Sequence, residues 1–290
     1  MTATDQNPDP MPEALRRRLV RLAYRYLGSV SDAEDIVQEA AVKLLASEGV
    51  RDREAWLARV VTNAALDRLR VLRGRRETYI GPWLPEPVIE ADESPADREL
   101  DISFAVMRTL EALSPLERAA FFLHDLFGMD FDAIAETLHR TPAAVRKLAS
   151  RARRAIREGQ PRFAASPADV ERLLRAIGHA VESETVEGLA ALLAADVELV
   201  SDGGGKATAA LKVIAGPLAV SRFLTGVAKK GLGDAGWRFG GARVNGGAGV
   251  VIAHRDGIDS VLTLDLDMEG RIAAIYIVRN PDKLAHLAGG

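Results

Sequence analysis

Four prolines between positions 82 and 95 limit the folds open to this chain more than any other feature of its sequence. Proline lacks a backbone N–H and has a fixed φ, so neither a continuous helix nor a central β-strand can cross this segment. The segment is also acidic, because seven acids and the single base Arg98 lie between Glu86 and Asp101. We therefore interpret residues 78–100 as a proline-rich acidic linker, with the apolar residues Trp83 and Leu84 in its middle.

Composition limits the class of protein. The chain has 290 residues, 48% of them hydrophobic, which is enough for two or three small folded units. No uninterrupted apolar run approaches ~18 residues and the first dozen residues are polar, so we expect neither a membrane span nor a secretory signal. The chain has no cysteine, and its five histidines show no metal-ligand spacing. We expect a cytoplasmic protein without a cofactor or structural metal.

The first folded part, residues 11–77, shows helical periodicity in three successive segments. Ser31 and Glu34 have the spacing of a capping box, which predicts the start of the second helix. In the third segment Trp56 lies on the apolar stripe, and we assign it to the core. The opposite stripe is polar and is followed by a basic run, so it is a candidate nucleic-acid surface; its members are Arg59, Asn63, Asp67, Arg70, Arg73, Arg75 and Arg76. The alternatives are an exposed polar face and, for Asp67, an intrahelical ion pair with Arg59 or Arg70.

The second helical part, residues 101–160, contains a helix-turn-helix pattern. Ser114 and Pro115 open one helix, residues 131–138 form a second, and Thr141 with Pro142 caps and opens a third. Seven Lys or Arg and no acid lie between positions 140 and 157. The third helix can therefore meet DNA phosphates and base edges, and its candidate contacts are Thr141, Arg146, Lys147, Ser150, Arg151 and Arg154. The alternative is a solvated basic face.

After Gly159 the composition changes, and residues 166–288 form a third part. Helices are predicted over residues 167–182 and 186–194. Apolar or alternating runs near residues 237–244, 249–254, 260–267 and 272–278, separated by glycine turns, predict antiparallel strands. The fold class is thus multidomain: two all-α domains, the second with a helix-turn-helix, followed by an α+β domain.

The first two parts together resemble the extracytoplasmic-function (ECF) sigma factors. Residues Ser31 to Glu39 are similar to the family's polymerase-binding helix, residues Ala55 to Arg70 to its promoter-melting and minus-ten segment, and residues 113–154 to its minus-thirty-five domain. The resemblance implies that core RNA polymerase and promoter DNA are the partners. It also implies that Asp35, Gln38 and Glu39 face polymerase, while Asn63 and Asp67 hold the melted strand. The alternative for Asp35, Gln38 and Glu39 is that they are ordinary exposed residues of their helix.

Three short motifs resemble those of a sigma subgroup with a C-terminal SnoaL-like extension, a cone-shaped α+β fold with a curved antiparallel sheet. The resemblance implies that this extension regulates the sigma part in cis. The motif residues, which we expect to form a regulatory contact between domains, are Trp83, Leu84, Pro85, Glu86, Pro87, Asp202, Gly203, Gly204, Gly205, Lys206, Asn280, Pro281, Asp282, Lys283 and Leu284. For the glycine motif, the alternative is a flexible turn.

A competing interpretation is a ligand-binding or isomerase-like cone that carries a DNA-binding arm. Relatives of the cone fold include enzymes, and Asp202, His179 and His254 are candidate bases. Fold alone does not imply function, however, and a ligand-responsive regulator needs no polymerase-binding or melting segment. We therefore expect a transcription initiation factor and not an enzyme, with a small-molecule ligand of the C-terminal domain as a further candidate partner.

Overall fold

The computed structural model describes residues 11–89, 103–159, 163–231, 236–255 and 257–289. The chain forms two compact units: one comprises residues 1–74 and 109–158, the other residues 75–108 and 159–290. The described part of the proline-rich linker therefore belongs to the same unit as the C-terminal domain. No helix in the ranges described is both long and apolar enough to cross a bilayer.

The first unit begins with three helices, α1 (Glu13–Leu27), α2 (Val30–Leu45) and α3 (Arg53–Glu77). Helix α1 ends at Gly28, whose left-handed φ of 66° lets its N–H bond back to the last turn. The predicted start of α2 is wrong by two residues. Ser29, and not Ser31, is the N-cap, because its hydroxyl accepts the N–H of Asp32.

Among the described residues, four further helices follow: α4 (Phe104–Ala112), α5 (Pro115–Phe121), α6 (Phe131–Leu138) and α7 (Pro142–Gly159), with a π-helix at Phe122–Leu126. Both predicted caps are confirmed. Ser114 and Glu117 form a reciprocal capping box, and the Thr141 hydroxyl accepts the N–H of Ala144. Helix α4 crosses the boundary between the units, and its residues 104–108 belong to the second unit.

Tyr26 is the centre of the first unit. Its ring meets Phe122 edge to face at 4.9 Å, and its hydroxyl lies 3.5 Å from Thr62. Arg118 donates to the Tyr26 carbonyl oxygen at 2.8 Å. Helices α1, α3 and α5 and the π-helix therefore converge on one buried ring. Trp56, which we assigned to the core, is only partly buried.

The second unit is one mixed sheet with helices. In chain order its elements are β1 (Phe163–Ala164), α8 (Pro167–Glu182), α9 (Glu187–Ala190), β2 (Leu193–Asp202), β3 (Ile214–Ala215), α10 (Pro217–Gly231), β4 (Arg238–Val244), β5 (Gly247–His254), β6 (Gly257–Leu266), β7 (Ile272–Val278), α11 (Pro281–Leu284) and a 3₁₀ turn (Ala285–Gly289). The strand order is β3-β2-β7-β6-β5-β4, and β1 pairs with β6. All pairs are antiparallel except β2 with β7, which is parallel and was not predicted.

Other elements pack on both faces of the sheet. Val197, Leu199 and Leu264 belong to a core that includes residues of α8 and α10. Alternate strand residues point the other way, and Val261 and Tyr276 pack there with linker and α4 side chains. We call this second surface the linker face. The end of β2, from Leu199 to Asp202, is buried on both sides and therefore lacks a polar alternation. The predicted helix over 186–194 shrinks to α9.

Candidate functional site

Asp202 is the centre of a polar cluster in the described part of the second unit. It ends β2 and is completely buried. Its carboxylate accepts the hydroxyl of Tyr79 at 2.6 Å, the N–H of Leu84 at 2.7 Å and the ammonium of Lys283 at 2.7 Å. The N–H of Gly204 adds a fourth bond at 3.0 Å. A carboxylate with this many donors is well compensated for burial.

Strand pairing brings two of the motifs together. Because β2 runs parallel to β7, Asp202 lies beside Val278, and the chain then turns back over the end of β2. The N–H groups of Arg279 and Asn280 donate to the Asp202 carbonyl oxygen. Asn280 next caps α11 through the N–H of Asp282. The glycine motif and the Asn280 motif are thus neighbours despite their separation in sequence.

The three glycines leave room for close neighbours. A Cβ at Gly203 would overlap the carbonyl oxygen of Ala207, and one at Gly204 would overlap the side-chain amide of Asn280. At Gly205 a Cβ would lie 2.8 Å from Ile80 Cδ1. Gly204 and Gly205 also have positive φ, 58° and 73°. The motif is therefore a tight turn against which the linker packs, and not merely a flexible one.

Lys283 binds the linker in three ways. Its ammonium donates to the Leu84 carbonyl oxygen as well as to Asp202. It also lies 4.2 Å from the ring centre of Trp83 and 4.9 Å from that of Tyr79. Contacts at these distances between a cation and aromatic faces are attractive, especially when water is excluded. We call the cluster of Tyr79, Leu84, Asp202, Asn280 and Lys283 the latch.

Residues beyond the latch extend the contact. Leu84, Pro85 and Pro87 are buried. Val88 exchanges bonds of 3.0 Å with Asn245, using the backbone N–H and carbonyl oxygen of Val88. His286 Nε2 lies 2.9 Å from the Pro87 carbonyl oxygen. The linker from Tyr79 to Ile89 is therefore bound to the C-terminal domain along its length.

Tyr79 was not among the predicted site residues. Its hydroxyl donates to Asp202 and accepts from Asn280 at 3.0 Å, so it connects two motifs. Burial, with the hydrogen bond to Asp202, raises the pKa of Tyr79 above its ordinary value. The Tyr79 hydroxyl therefore stays protonated and acts as a donor. Its place in the linker, four residues before Trp83, was visible in the sequence, but its bond to Asp202 was not.

The remaining motif residues surround the latch. Lys206 and Asp282 form an exposed ion pair of 2.5 Å, Pro281 opens α11, and Glu86 is partly buried. Leu284 is buried on the linker face. Of the candidate bases, Asp202 is engaged in the latch. His254 packs against Trp237 at 4.7 Å, and His179 is exposed on α8. The described ranges contain no group of three side chains suited to hold a metal ion.

The first unit presents the predicted basic helix. In α7 the apolar side chains Val145, Ala149 and Ala152 are buried. A groove of about 700 Å³ runs along the turn before it, lined by Asp132, Arg140 and others. The candidate DNA contacts all lie on the exposed side: Thr141, Arg146, Lys147, Ser150, Arg151 and Arg154.

Helix α3 carries the second candidate surface. Asn63, Asp67 and Arg70 are exposed, and Arg70 bonds to Asp67, which is the intrahelical pairing left open by the sequence. Arg59 is half-buried and donates to the carbonyl oxygen of Ala55 at 3.3 Å. The side chains of Arg73, Arg75 and Arg76 lie outside the described part of the structure.

Helix α2 exposes Asp35, Gln38 and Glu39 together. Two exposed apolar side chains continue the same stripe, Val42 at 62% and Leu45 at 71% relative exposure. The polar part of this surface was predicted. The apolar part was missed, because periodicity alone does not reveal which apolar residues stay uncovered.

Comparison with known proteins identifies the family. Residues 11–75 match the family model "Sigma-70 region 2", and residues 103–156 match "Sigma-70, region 4". The chain is 39% identical over 292 aligned positions to "ECF RNA polymerase sigma factor SigJ" of Mycobacterium tuberculosis, covering 93% of this chain and 91% of that protein. It is 33% identical to "Probable ECF RNA polymerase sigma factor SigI" of the same species, covering 64% and 67%.

A solved structure agrees. The crystal structure of M. tuberculosis SigJ superposes with a TM-score of 0.72 at 36% identity, over 94% of this chain and 96% of that one. The expected fold class is confirmed: two helical sigma domains are followed by an α+β domain whose sheet is open. The same relationships identify a transcription initiation factor and not an enzyme. This chain belongs to the extracytoplasmic-function family of RNA polymerase sigma factors.

Proposed function

We propose that the C-terminal domain regulates this sigma factor in cis by binding the linker through the latch. The observation that carries the proposal is the Asp202 carboxylate, which receives one side-chain and one backbone hydrogen bond from the linker. Sigma activity requires the minus-ten and minus-thirty-five regions at a fixed separation on DNA. A bound linker limits that separation, so the latch selects the promoter spacing.

The other surfaces take their family roles within this proposal. The exposed stripe of α2 binds core polymerase, because carboxylate, amide and apolar groups suit a protein partner better than phosphate. The stripe of α3 holds the melted minus-ten strand, and the basic face of α7 reads the minus-thirty-five element. The protein then acts in the cytoplasm, where polymerase and promoters are.

A small-molecule ligand of the C-terminal domain would regulate through the same equilibrium. It would change transcription only as far as it binds one of the two linker states, bound or released, more tightly than the other. Ligand control is therefore an addition to the latch and not an alternative to it.

Run-off transcription with purified core polymerase tests the proposal, using promoters whose minus-ten and minus-thirty-five elements are separated by spacers of different lengths. The wild-type protein should prefer one spacer. Asp202→Asn and Trp83→Ala should flatten the preference, while Lys206→Ala, which removes only an exposed ion pair, should retain it. An unchanged spacer profile in both Asp202→Asn and Trp83→Ala, with the linker shown to be released, would overturn the proposal.

A further inference from the structure

The linker face carries a second polar cluster, apart from the latch. Asp265 on β6 and Glu198 on β2 both pair in register with Ala274 of β7, one on each side of that strand. Tyr276, two residues along β7, belongs to the same face. The charges of Asp265 and Arg108 both act on its hydroxyl, so both groups lie near it. Tyr276 therefore connects the Asp265 carboxyl to an arginine from another element.

That arginine belongs to the first turns of α4. The ring of Phe104 stacks on Tyr276, with centroids 5.7 Å apart and planes 18° from parallel. One turn later, the Arg108 guanidinium lies 3.4 Å from Glu198 and 5.9 Å from the centre of the Tyr276 ring. Phe104 is 3% exposed. Residues 104–108 are thus attached to the sheet by the stacking of Phe104 on Tyr276 and by the Arg108–Glu198 ion pair.

Asp265 is the poorly compensated member of the cluster. It is 9% exposed, and its Oδ2 atom has no hydrogen-bond partner in the described part of the chain. Tyr276 of β7 is its neighbouring polar side chain, and β1 contributes backbone pairing at Ala164. Arg108 of α4 acts on the same tyrosine, while Glu198 lies across β7 on β2. Arg108 is directed to Glu198 and Tyr276. A charged Asp265 carboxylate is therefore disfavoured while α4 covers this face.

We propose that the linker face is a second attachment surface, specific for residues 104–108, and that protonation of Asp265 strengthens this attachment. The inference rests on the proposed function, because it gives the C-terminal domain a hold on the chain on both sides of residues 90–102. The latch is the attachment before these residues, and the start of α4 is the attachment after them. Acidification then strengthens the attachment of residues 104–108 and leaves the latch unchanged.

The direction follows from burial. Burial raises the pKa of Asp265 from 3.8 to about 6. When α4 leaves, water reaches the carboxyl and its pKa falls toward the ordinary value, so the attached state binds the proton more tightly. Attachment is therefore favoured below pH ~4, weakens as pH rises from ~4 to ~6, and stays weakened above that range. Between pH ~4 and ~6, each pH unit changes the attachment equilibrium about tenfold. Of the interval from pH ~5 to ~7, only the first unit lies in this range, so attachment should weaken about tenfold.

Spin-label distances in the full-length protein test this inference, and the absence of native cysteines makes labelling specific. Labels at Val106→Cys and Lys212→Cys should give a narrow distance distribution at pH ~5 and a broad one at pH ~7. Asp265→Asn, which is neutral at both pH values, should stay narrow. Glu269→Gln changes an exposed carboxyl and should behave like the wild type. A wild-type distribution that does not respond to pH, or an Asp265→Asn variant that still does, would overturn the inference.

A second label pair separates this result from the latch. Val88→Cys with Lys212→Cys reports on the linker, which should remain bound at both pH values and be released by Asp202→Asn. If that pair shows a released linker in the wild type, the proposed function fails, whatever the α4 pair shows. If the linker pair is narrow and only the α4 pair fails to respond to pH, the latch stands and the role of Asp265 is rejected.

Discussion

The ammonium of Lys283 lies 2.7 Å from the carboxylate of Asp202, with 9% of the lysine side chain and none of the aspartate side chain exposed. Each charge is further compensated, Lys283 by Leu84 and two aromatic rings, and Asp202 by Tyr79 and backbone N–H groups. Forming such a pair gains little over an apolar contact, but breaking it leaves a buried charge. The latch should therefore be sensitive to single substitutions.

Asp202→Asn should destabilise the second unit by about 3 to 5 kcal/mol, because Lys283 keeps its charge and loses its counterion. Denaturant unfolding measures this free energy. The matched control is Lys206→Ala, which removes an exposed ion pair worth about 0 to 1 kcal/mol. Equal losses in the two variants would contradict a buried latch. A second control, Asp202→Asn with Lys283→Met, should recover part of the loss, because no unpaired charge remains.

Gly204→Ala should release the linker, whereas Gly216→Ala should not. Both glycines have positive φ, 58° and 89°, so both variants suffer backbone strain of about 1 kcal/mol. Only at Gly204 does a Cβ also meet Asn280, and nothing lies within 4 Å of one at Gly216. Limited proteolysis of the linker distinguishes them: faster cleavage in Gly204→Ala alone is expected. Similar cleavage in both variants would mean that steric contact with Asn280 is unimportant.

Local signals predicted the helical parts well. Ser114 with Pro115 and Thr141 with Pro142 were placed correctly, because capping depends on residues three or four apart. Ser29 was missed in favour of Ser31, since both serines precede the same helix and either could cap it. Competing caps two residues apart cannot be separated by spacing.

The strands and contacts of the C-terminal domain were harder to predict from the sequence, for a different reason. Strand β2 is buried on both faces from Leu199 to Asp202 and is parallel to β7, so this end of it shows no alternation and no hairpin turn joins the two strands. The motif resemblance pointed to Asp202 and Lys283, but Tyr79 bonds to Asp202 across 123 positions in sequence. Neither propensity nor periodicity carries information at that range. Only the folded sheet shows which donors reach the carboxylate.

Alanine substitutions in α7 should separate base contacts from phosphate contacts. Replacing Arg146, Lys147, Arg151 or Arg154 should weaken binding to the minus-thirty-five element, because all four side chains are exposed on one side of the helix. Loss of a base contact should cost about 1 to 3 kcal/mol and relax one position, whereas loss of a phosphate contact should lower the salt slope by about one. Binding isotherms at several salt concentrations measure both. Indifference to all four changes would refute the helix-turn-helix assignment.

The exposed stripe of α2 should bind core polymerase through apolar as well as polar groups. Val42 and Leu45 are 62% and 71% exposed beside Gln38, and burying two such side chains in an interface contributes about 1.5 to 3 kcal/mol each when fully covered. Val42→Ser with Leu45→Ser should therefore weaken core binding by at least as much as replacing Asp35, Gln38 and Glu39 with alanine. Neither variant should unfold the protein, since these side chains are exposed.

Lys43→Ala is the matched control for that prediction. Lys43 is exposed on the same helix, one residue after Val42 and therefore about 100° around the axis, at the margin of the stripe. Fluorescence anisotropy with purified core polymerase should show near wild-type affinity for Lys43→Ala and clear losses for the two stripe variants. If the serine variant binds as tightly as the wild type while the alanine variant does not, the surface is purely polar and the apolar residues are incidental. If neither variant loses affinity, α2 is not the polymerase-binding helix, and another exposed face of the first unit must take that role.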